Sequence, residues 1–339
     1  MAVPSVDVIR GAIVESRHRV SVAVCDAEGA LVARAGDPDL VTFWRSAAKF
    51  FQAVPLVVDG GADALGISDA ELAVACASHN GEPRHRELAA SVLAKVRCTA
   101  ADLACGPHPS LAEPVARAMA ERGEKPTRLH SNCSGKHAVM LAQARHRGWP
   151  TGGYHLEGSP VQRRCLEEVA AWAGVGEPAI GTAVDGCGVI CFALPLRSMA
   201  LAYARLGARR PGGDGARREA RGAAADRLVR AVSAEPFLLA GTARSCTAIL
   251  EASGGRVIPK VGAEGVYCAA LPERGLGVAV KVEDGDFRSA TVALLAVLDQ
   301  VVPGFGTVGP EWRSPPVRNT RGEEVGRMEP RVPLSAGGG

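Results

Sequence analysis

The sequence predicts an α+β fold: strands from the two ends of the chain join in one antiparallel sheet, and a large helical region is inserted between them. Three features of the sequence carry that expectation. Near the N-terminus, RVSVAVCDAEGALVARAGD alternates apolar and polar residues about a DAEG turn and reads as a hairpin with strands at 19–25 and 30–35. From about residue 40 to 250, through FWRSAAKFFQAVPLVVDGGADAL, ELAVACASHNGEPRHRELAASVLAKV, QRRCLEEVAAWAG and PLRSMALAYARLG, apolar residues recur at helical spacing. Strand patterning then returns in GGRVIPKVGAEGVYCAALPERGLGVAVKVEDG, two or three strands with a turn at LPERG, followed by a helix in DFRSATVALLAVLDQVV. Within the helical region, GARRPGGDGARREARGAAADR (207–227) has little to bury and reads as a mobile surface loop flowing into a helix. The expected organisation is a single domain over 8–303, with a flexible tail over 315–339 that lacks periodicity.

Composition narrows the function. The chain has 339 residues, 47% of them hydrophobic, enough for one large core or two moderate ones. Its apolar runs stop well short of the ~20 residues a membrane span needs, and the opening MAVPSVDVIRGAIVESRHR lacks the basic-then-apolar order of an export signal. A soluble, cytoplasmic protein is expected, with no membrane partner. The formal charge of +3 is small, and no basic stretch is interleaved with aromatics, so nucleic acid is not an expected partner either. Ten cysteines in such a compartment read as thiols, and Cys25, Cys76, Cys165, Cys191 and Cys268, in apolar surroundings, read as core.

The chemistry-bearing motifs come in an order. RSAAK places Ser46 and Lys49 three apart, on one face of a helix, and FFQAVPLVV beyond them supplies the burial that lets a lysine lose its proton and act as a base toward a serine. ASHNGEPRH contains an S-x-N element, Ser78 and Asn80, in a loop between helical segments. VIPKVGAEG places Lys260 late on a strand, two residues before Gly262. S-x-x-K, S-x-N and K-x-G in this order match the arrangement of serine β-lactamases and penicillin-binding proteins, where two lysines lower each other's pKa by like-charge repulsion.

HSNCSGKHAVML, residues 130 to 141, is a separate problem. A phosphate loop fails, because His130 stands where the first glycine is needed and His137 where Ser or Thr should follow the lysine. A second cysteine, Cys187, occupies a glycine-flanked turn in VDGCGVICF, after Asp185. Two thiolates from separate turns plus a nitrogen suit Zn²⁺, and by spacing the nitrogen comes equally well from Lys136 or His137.

Together RSAAKFFQAVPLV, ASHNGEPRH, HSNCSGKHAVML, DGCGVICFALPL and PKVGAEG resemble the asparaginase II family, the rhizobial-type L-asparaginases, over about residues 8 to 303. The resemblance implies hydrolysis of L-asparagine to L-aspartate and ammonia, on a serine β-lactamase/glutaminase-like fold, in a homodimer. It implies two Ser-Lys pairs, Ser46 with Lys49 and Ser78 with Lys260, and a zinc site of Cys133, Lys136 and Cys187. Arg45, Asn80, His137 and Asp185 are candidates to bind the substrate's α-amino and α-carboxylate groups. Two rival classes remain at this stage: a penicillin-interacting serine hydrolase, or other amidohydrolase of the same fold, and a non-catalytic zinc-binding protein that needs only the cysteine turns.

Overall fold

A computed structural model describes residues 3–305 and 308–338. The chain forms two compact units, one of residues 1–47, 194–208 and 248–339, the other of residues 48–193 and 209–247.

The first unit holds the expected antiparallel sheet. Its strands run in the spatial order Pro316–Arg318, Glu324–Arg331, Ser5–Arg10, Ile13–Asp26, Leu276–Val282, Val266–Leu271 and Ile258–Val261. Leu31–Ala35 pairs with the second half of Ile13–Asp26, making the hairpin read from the DAEG turn. N- and C-terminal strands meet where Val22 faces Val280 and Val24 faces Val278. Every residue of Val266–Leu271 is buried, the signature of a strand covered on both faces. The helices Leu196–Ala208 and Phe287–Val301 provide the cover. Gly277 sets how closely the first of them approaches, since a Cβ there would stand 2.0 Å from the Ala200 carbonyl oxygen.

The segment beyond residue 315 is not a frayed tail. Glu324–Arg331 pairs antiparallel with Ser5–Arg10, Met328 and Val332 are buried, and Ser335–Ala336 adds to the edge of Leu31–Ala35. A buried carboxylate anchors it: Asp7 is fully buried, accepts from Arg17 Nε at 2.9 Å and pairs with Arg331 Nε at 3.0 Å. The Arg17 hydrogen bond holds the Asp7 carboxyl below its usual range against the effect of burial.

The second unit is mainly helical, and its centre is Ser134–His146, buried from Ser134 through Ala144. Lys49–Val58, Asp69–Ala75 and Pro83–Lys95 pack around it. The glycine of SGK is a packing requirement, because a Cβ on Gly135 would lie 2.3 Å from the Val74 carbonyl oxygen. Two expectations are corrected here. Most of 207–227 is helix: Gly215–Ala234 is continuous, and Arg221 is buried with Nε donating to Glu168 Oε2 at 2.8 Å. The Ala, Arg and Glu of that segment favour helix, and a buried carboxylate holds it down. The helical region also contains a hairpin: Gly181–Val184 pairs with Ile190–Pro195, and Cys187 lies in the turn between them.

Candidate active site

Ser46 lies in a single 3-10 turn, Arg45–Ala48, that runs directly into the helix Lys49–Val58. Its hydroxyl-bearing residue is half-buried. The residue before it, Arg45, has φ 54, a left-handed conformation that costs a non-glycine residue about 1–3 kcal/mol and is tolerated where the surroundings hold it. Those surroundings are fixed: Trp44 is fully buried and its Nε1 donates to Cys268 Sγ at 3.4 Å, while the Ala47 carbonyl accepts from Tyr203 Oη at 2.7 Å. Arg45 Nη1 stands 4.0 Å from Glu264 Oε1.

Lys260 belongs to the same unit. It faces Cys268 across the pairing of Ile258–Val261 with Val266–Leu271, so it shares the sheet face on which the Trp44 indole rests. It is fully buried, with Nζ donating to the Val261 carbonyl at 2.9 Å. Gly262, two residues on, passes so close that a Cβ would stand 3.0 Å from the Trp44 carbonyl oxygen. The late lysine strand is thereby packed against the turn that leads to Ser46.

In the helical unit, Lys49 is fully buried at the first residue of its helix and spends its three hydrogens on the Ala77 carbonyl at 2.6 Å, the Ser78 hydroxyl at 3.1 Å and the Asn132 carbonyl at 3.1 Å. Burial lowers its pKa, and the Lys136 charge lowers it further, against the opposing pull of the Cys133 and Cys187 thiols. Lys49 and Ser78 are thus in contact, a pairing of a helix start with a loop that sequence spacing does not reveal.

Cys133, Lys136 and Cys187 converge. Cys133 occupies the N-cap position of Ser134–His146, Lys136 follows in its first turn, and Lys136 Nζ lies 3.0 Å from Cys187 Sγ. Cys187 Sγ is 3.6 Å from Asp185 Oδ2, and Lys136 Nζ is 4.0 Å from the same carboxylate oxygen. A hydrogen bond from Cys133 and the Lys136 charge lower the Cys187 pKa despite burial, whereas that same bond and burial raise Cys133. Burial alone would depress Lys136, yet the two thiols and Asp185 hold it above its ordinary value. Among the described residues no group of three or more His, Cys, Asp or Glu is arranged to hold a metal ion. One buried and one half-buried sulfur with one nitrogen are a donor set that zinc accepts once the amine is neutral.

The remaining candidates fall apart into different settings. His137 points its Nδ1 at Tyr154 Oη, 2.7 Å away, and that hydroxyl in turn accepts from the Ala104 amide at 2.9 Å. Burial, reinforced by Lys136, lowers the imidazole's pKa to about 3, so the ring is neutral near pH 7. Asn80 is built into the loop: Nδ2 donates to the Thr242 carbonyl at 2.9 Å and to Glu82 Oε1 at 3.1 Å, and Oδ1 accepts from Arg244 Nη1 at 2.8 Å.

Sequence reasoning passed over His79, which ties two motifs together. Its Nδ1 accepts from the Gly81 amide at 3.0 Å, so Nε2 carries the proton and donates to Ser134 Oγ at 3.1 Å, joining the Ser78 loop to the Cys133 turn. Its place inside SHN was the available signal. Gly81, at φ 74 with a Cβ position 2.6 Å from the His130 carbonyl oxygen, makes the loop's close passage possible.

A buried lysine on a serine hydroxyl is equipment for acyl transfer, and comparison with known families places this chain among the amidohydrolases. The chain belongs to the L-asparaginase II family, whose model matches residues 6–330. No curated protein matches the sequence. Among solved structures it is similar to Mglu in its native form in 4.3 M NaCl, at 15% identity and a TM-score of 0.39 over 84% of this chain and 61% of that one. It is also similar to the Bacillus subtilis glutaminase YbgJ in covalent complex with 5-oxo-L-norleucine, at 11% identity and a TM-score of 0.35 over 83% of this chain and 87% of that one. The chain thus spans 61% of the length of Mglu, and likeness this remote assigns no chemistry. Among the described residues no helix is long and apolar enough to cross a membrane.

Proposed function

We propose that this amidohydrolase hydrolyses L-asparagine to L-aspartate and ammonia through a covalent ester on serine. The observation that carries the reading is the contact of the buried Lys49 amine with the Ser78 hydroxyl, in a chain of the L-asparaginase II family. Ser46 attacks the side-chain carboxamide carbon, and a neutral lysine amine, Lys49 or Lys260, takes the hydroxyl proton, directly or through Ser78. The tetrahedral oxyanion is stabilised by backbone N–H groups, that of Ser46 among them. The lysine returns the proton to the nitrogen, which leaves as ammonia. Water then attacks the aspartyl ester, gives a proton to the same lysine, and the proton passes back to Ser46 as aspartate departs.

Arg45 and Asp185 carry the charges that complement the substrate's α-carboxylate and α-ammonium groups. His137 adds a neutral imidazole, and Asn80 with its three partners holds the Ser78 loop in shape. Zinc is proposed at Cys133, Lys136 and Cys187, where it would supply Lewis-acid polarisation of substrate oxygen or fix the orientation of bound substrate. The protein residues around it, Asp185 and His79 through Ser134, would hold those ligands in place.

The test is ammonia release from L-asparagine and, in parallel, L-glutamine. The extra methylene of glutamine is worth about 1–3 kcal/mol in a fitted pocket, so release from asparagine is expected to exceed that from glutamine by about tenfold or more. Preference for glutamine would replace the substrate in this reading, and silence on both would remove it. Covalent labelling by a fluorescent penicillin, with no amide hydrolysis, would favour the penicillin-interacting alternative.

A further inference from the structure

On the helical unit, a cavity of about 510 Å³ is lined by none of the candidate site residues, and half of its lining is arginine. Four arginines, 147, 163, 164 and 217, line it against two carboxylates, Asp59 and Glu167. Both carboxylates are already engaged. Arg164 grips Asp59 with Nη2 at 3.0 Å and Nε at 3.2 Å, and Arg217 Nη2 donates to Glu167 at 3.2 Å. Arg147 and Arg163 have no carboxylate partner among the described residues. Arg147 lies instead over the ring of Trp149, 5.3 Å from its centroid, and Trp149, half-buried, is part of the same wall.

The floor is rigid. Asp59 caps the helix Lys49–Val58, and its carboxylate also accepts from Gln143 of Ser134–His146 at 2.7 Å, while Arg164 Nη1 donates to the buried Glu168 at 2.6 Å. The helix Pro160–Ala173 begins in the wall, so its N-terminal dipole adds positive potential to the two uncompensated guanidinium groups. Planar guanidinium forks of this kind match the oxygens of a phosphoryl group, and an indole face offers stacking area to a flat ring.

We propose that this cavity binds a small organic phosphate, its phosphoryl oxygens taken by Arg147 and Arg163 and its ring laid against the Arg147–Trp149 stack. The site is independent of which amide the enzyme hydrolyses. Floor and walls are preorganised by the Asp59–Arg164–Glu168 chain, so binding orders only exposed arginine side chains.

The experiment is a titration of the intact protein with adenosine monophosphate and, separately, with inorganic phosphate, at physiological ionic strength, by calorimetry and tryptophan fluorescence. Of the other three tryptophans, Trp44 and Trp172 are fully buried and Trp312 is not part of the cavity wall, so the change assigned to the site is the part that Trp149→Phe removes. The expected result is saturable binding of the nucleotide, at least tenfold tighter than inorganic phosphate, weakened tenfold or more in the doubly substituted Arg147→Gln/Arg163→Gln protein. Both substitutions are at exposed positions, and an unchanged circular dichroism spectrum confirms that the variant is folded. No saturable binding, equal affinity for the two ligands, or undiminished affinity in the double variant would each overturn the proposal.

Discussion

Lys49 and Lys136 are both buried in the first turn of a helix in the same unit, yet their environments drive them in opposite directions. Lys49 meets two carbonyls and a hydroxyl, and burial lowers its pKa against the pull of the Cys133 and Cys187 thiols. Lys136 meets Cys187 at 3.0 Å and Asp185 at 4.0 Å, and those acidic groups hold it above its ordinary value against burial. Each lysine suits a different duty. One is made easy to deprotonate, as a base beside a serine must be; the other belongs to a cluster with two thiols, where a proton leaves only in exchange for another cation.

The contrast breaks most sharply at Lys49. Lys49→Met keeps the volume and removes the amine, and the expected loss in kcat is about 10²–10⁴-fold, measured as ammonia release, with Lys49→Arg failing to restore it because a guanidinium does not deprotonate. Retention of even a tenth of wild-type turnover would transfer the base role to Lys260.

At the other lysine the larger effect is on stability. Cys187→Ala takes away the nearest partner of a buried amine, and removal of one member of a buried ion pair costs about 3–5 kcal/mol. Urea unfolding of the metal-free protein measures it, and Asp185→Asn, which leaves Cys187 in place, is expected to cost less. Equal, small losses in both variants would mean that Lys136 is not charged in the folded protein.

Buried imidazoles beside the Ser78 loop give a pH signature. His85 stacks between His79 and Phe237, with ring centroids 4.8 and 4.7 Å away, and burial lowers its pKa from 6.5 to about 4. The unfolded imidazole binds a proton below pH 6.5 while the folded one does so only below about pH 4, so stability present above the first value is lost as pH falls to the second. The loss is about 3 kcal/mol, and His85→Phe is expected to flatten that acid limb in unfolding curves taken between those pH values. A limb that is unchanged in the variant assigns the loss to other groups.

The smallest effect is at the C-terminal strand. Arg331→Ala removes one of two arginines on Asp7 and leaves Arg17 in place, so about 0.5–1 kcal/mol is expected in the unfolding free energy. A drop of several kcal/mol would show that the strand depends on that one ion pair.

These contrasts also explain what could be read in advance. The hairpin about DAEG, the three strands of 258–282 and the helix Phe287–Val301 announce themselves because β-branched alternation and helical apolar spacing are strong local signals. Glu324–Arg331 does not, since its strand is fixed by pairing with Ser5–Arg10 and by one buried carboxylate some 300 residues away in sequence, not by apolar pattern. The short hairpin carrying Cys187 was lost inside a helical stretch for the same reason. At the site, residue types and motif order are legible, and the glycine-bearing turns of Cys133 and Cys187 mark the two segments that meet at Lys136. The contact of Lys49 with Ser78, and the bridge from His79 to Ser134, join segments whose separation no spacing rule encodes.

The most direct test of the central claim compares wild type with Ser46→Ala and Ser78→Ala for ammonia release from L-asparagine, with rapid acid quenching to recover any serine-linked aspartyl peptide. Steady release by the wild type, loss of about 10³-fold or more in Ser46→Ala, and an ester on the peptide containing Ser46 are the predicted results. Near wild-type turnover by Ser46→Ala, or an ester found on Ser78 instead, would contradict the assignment.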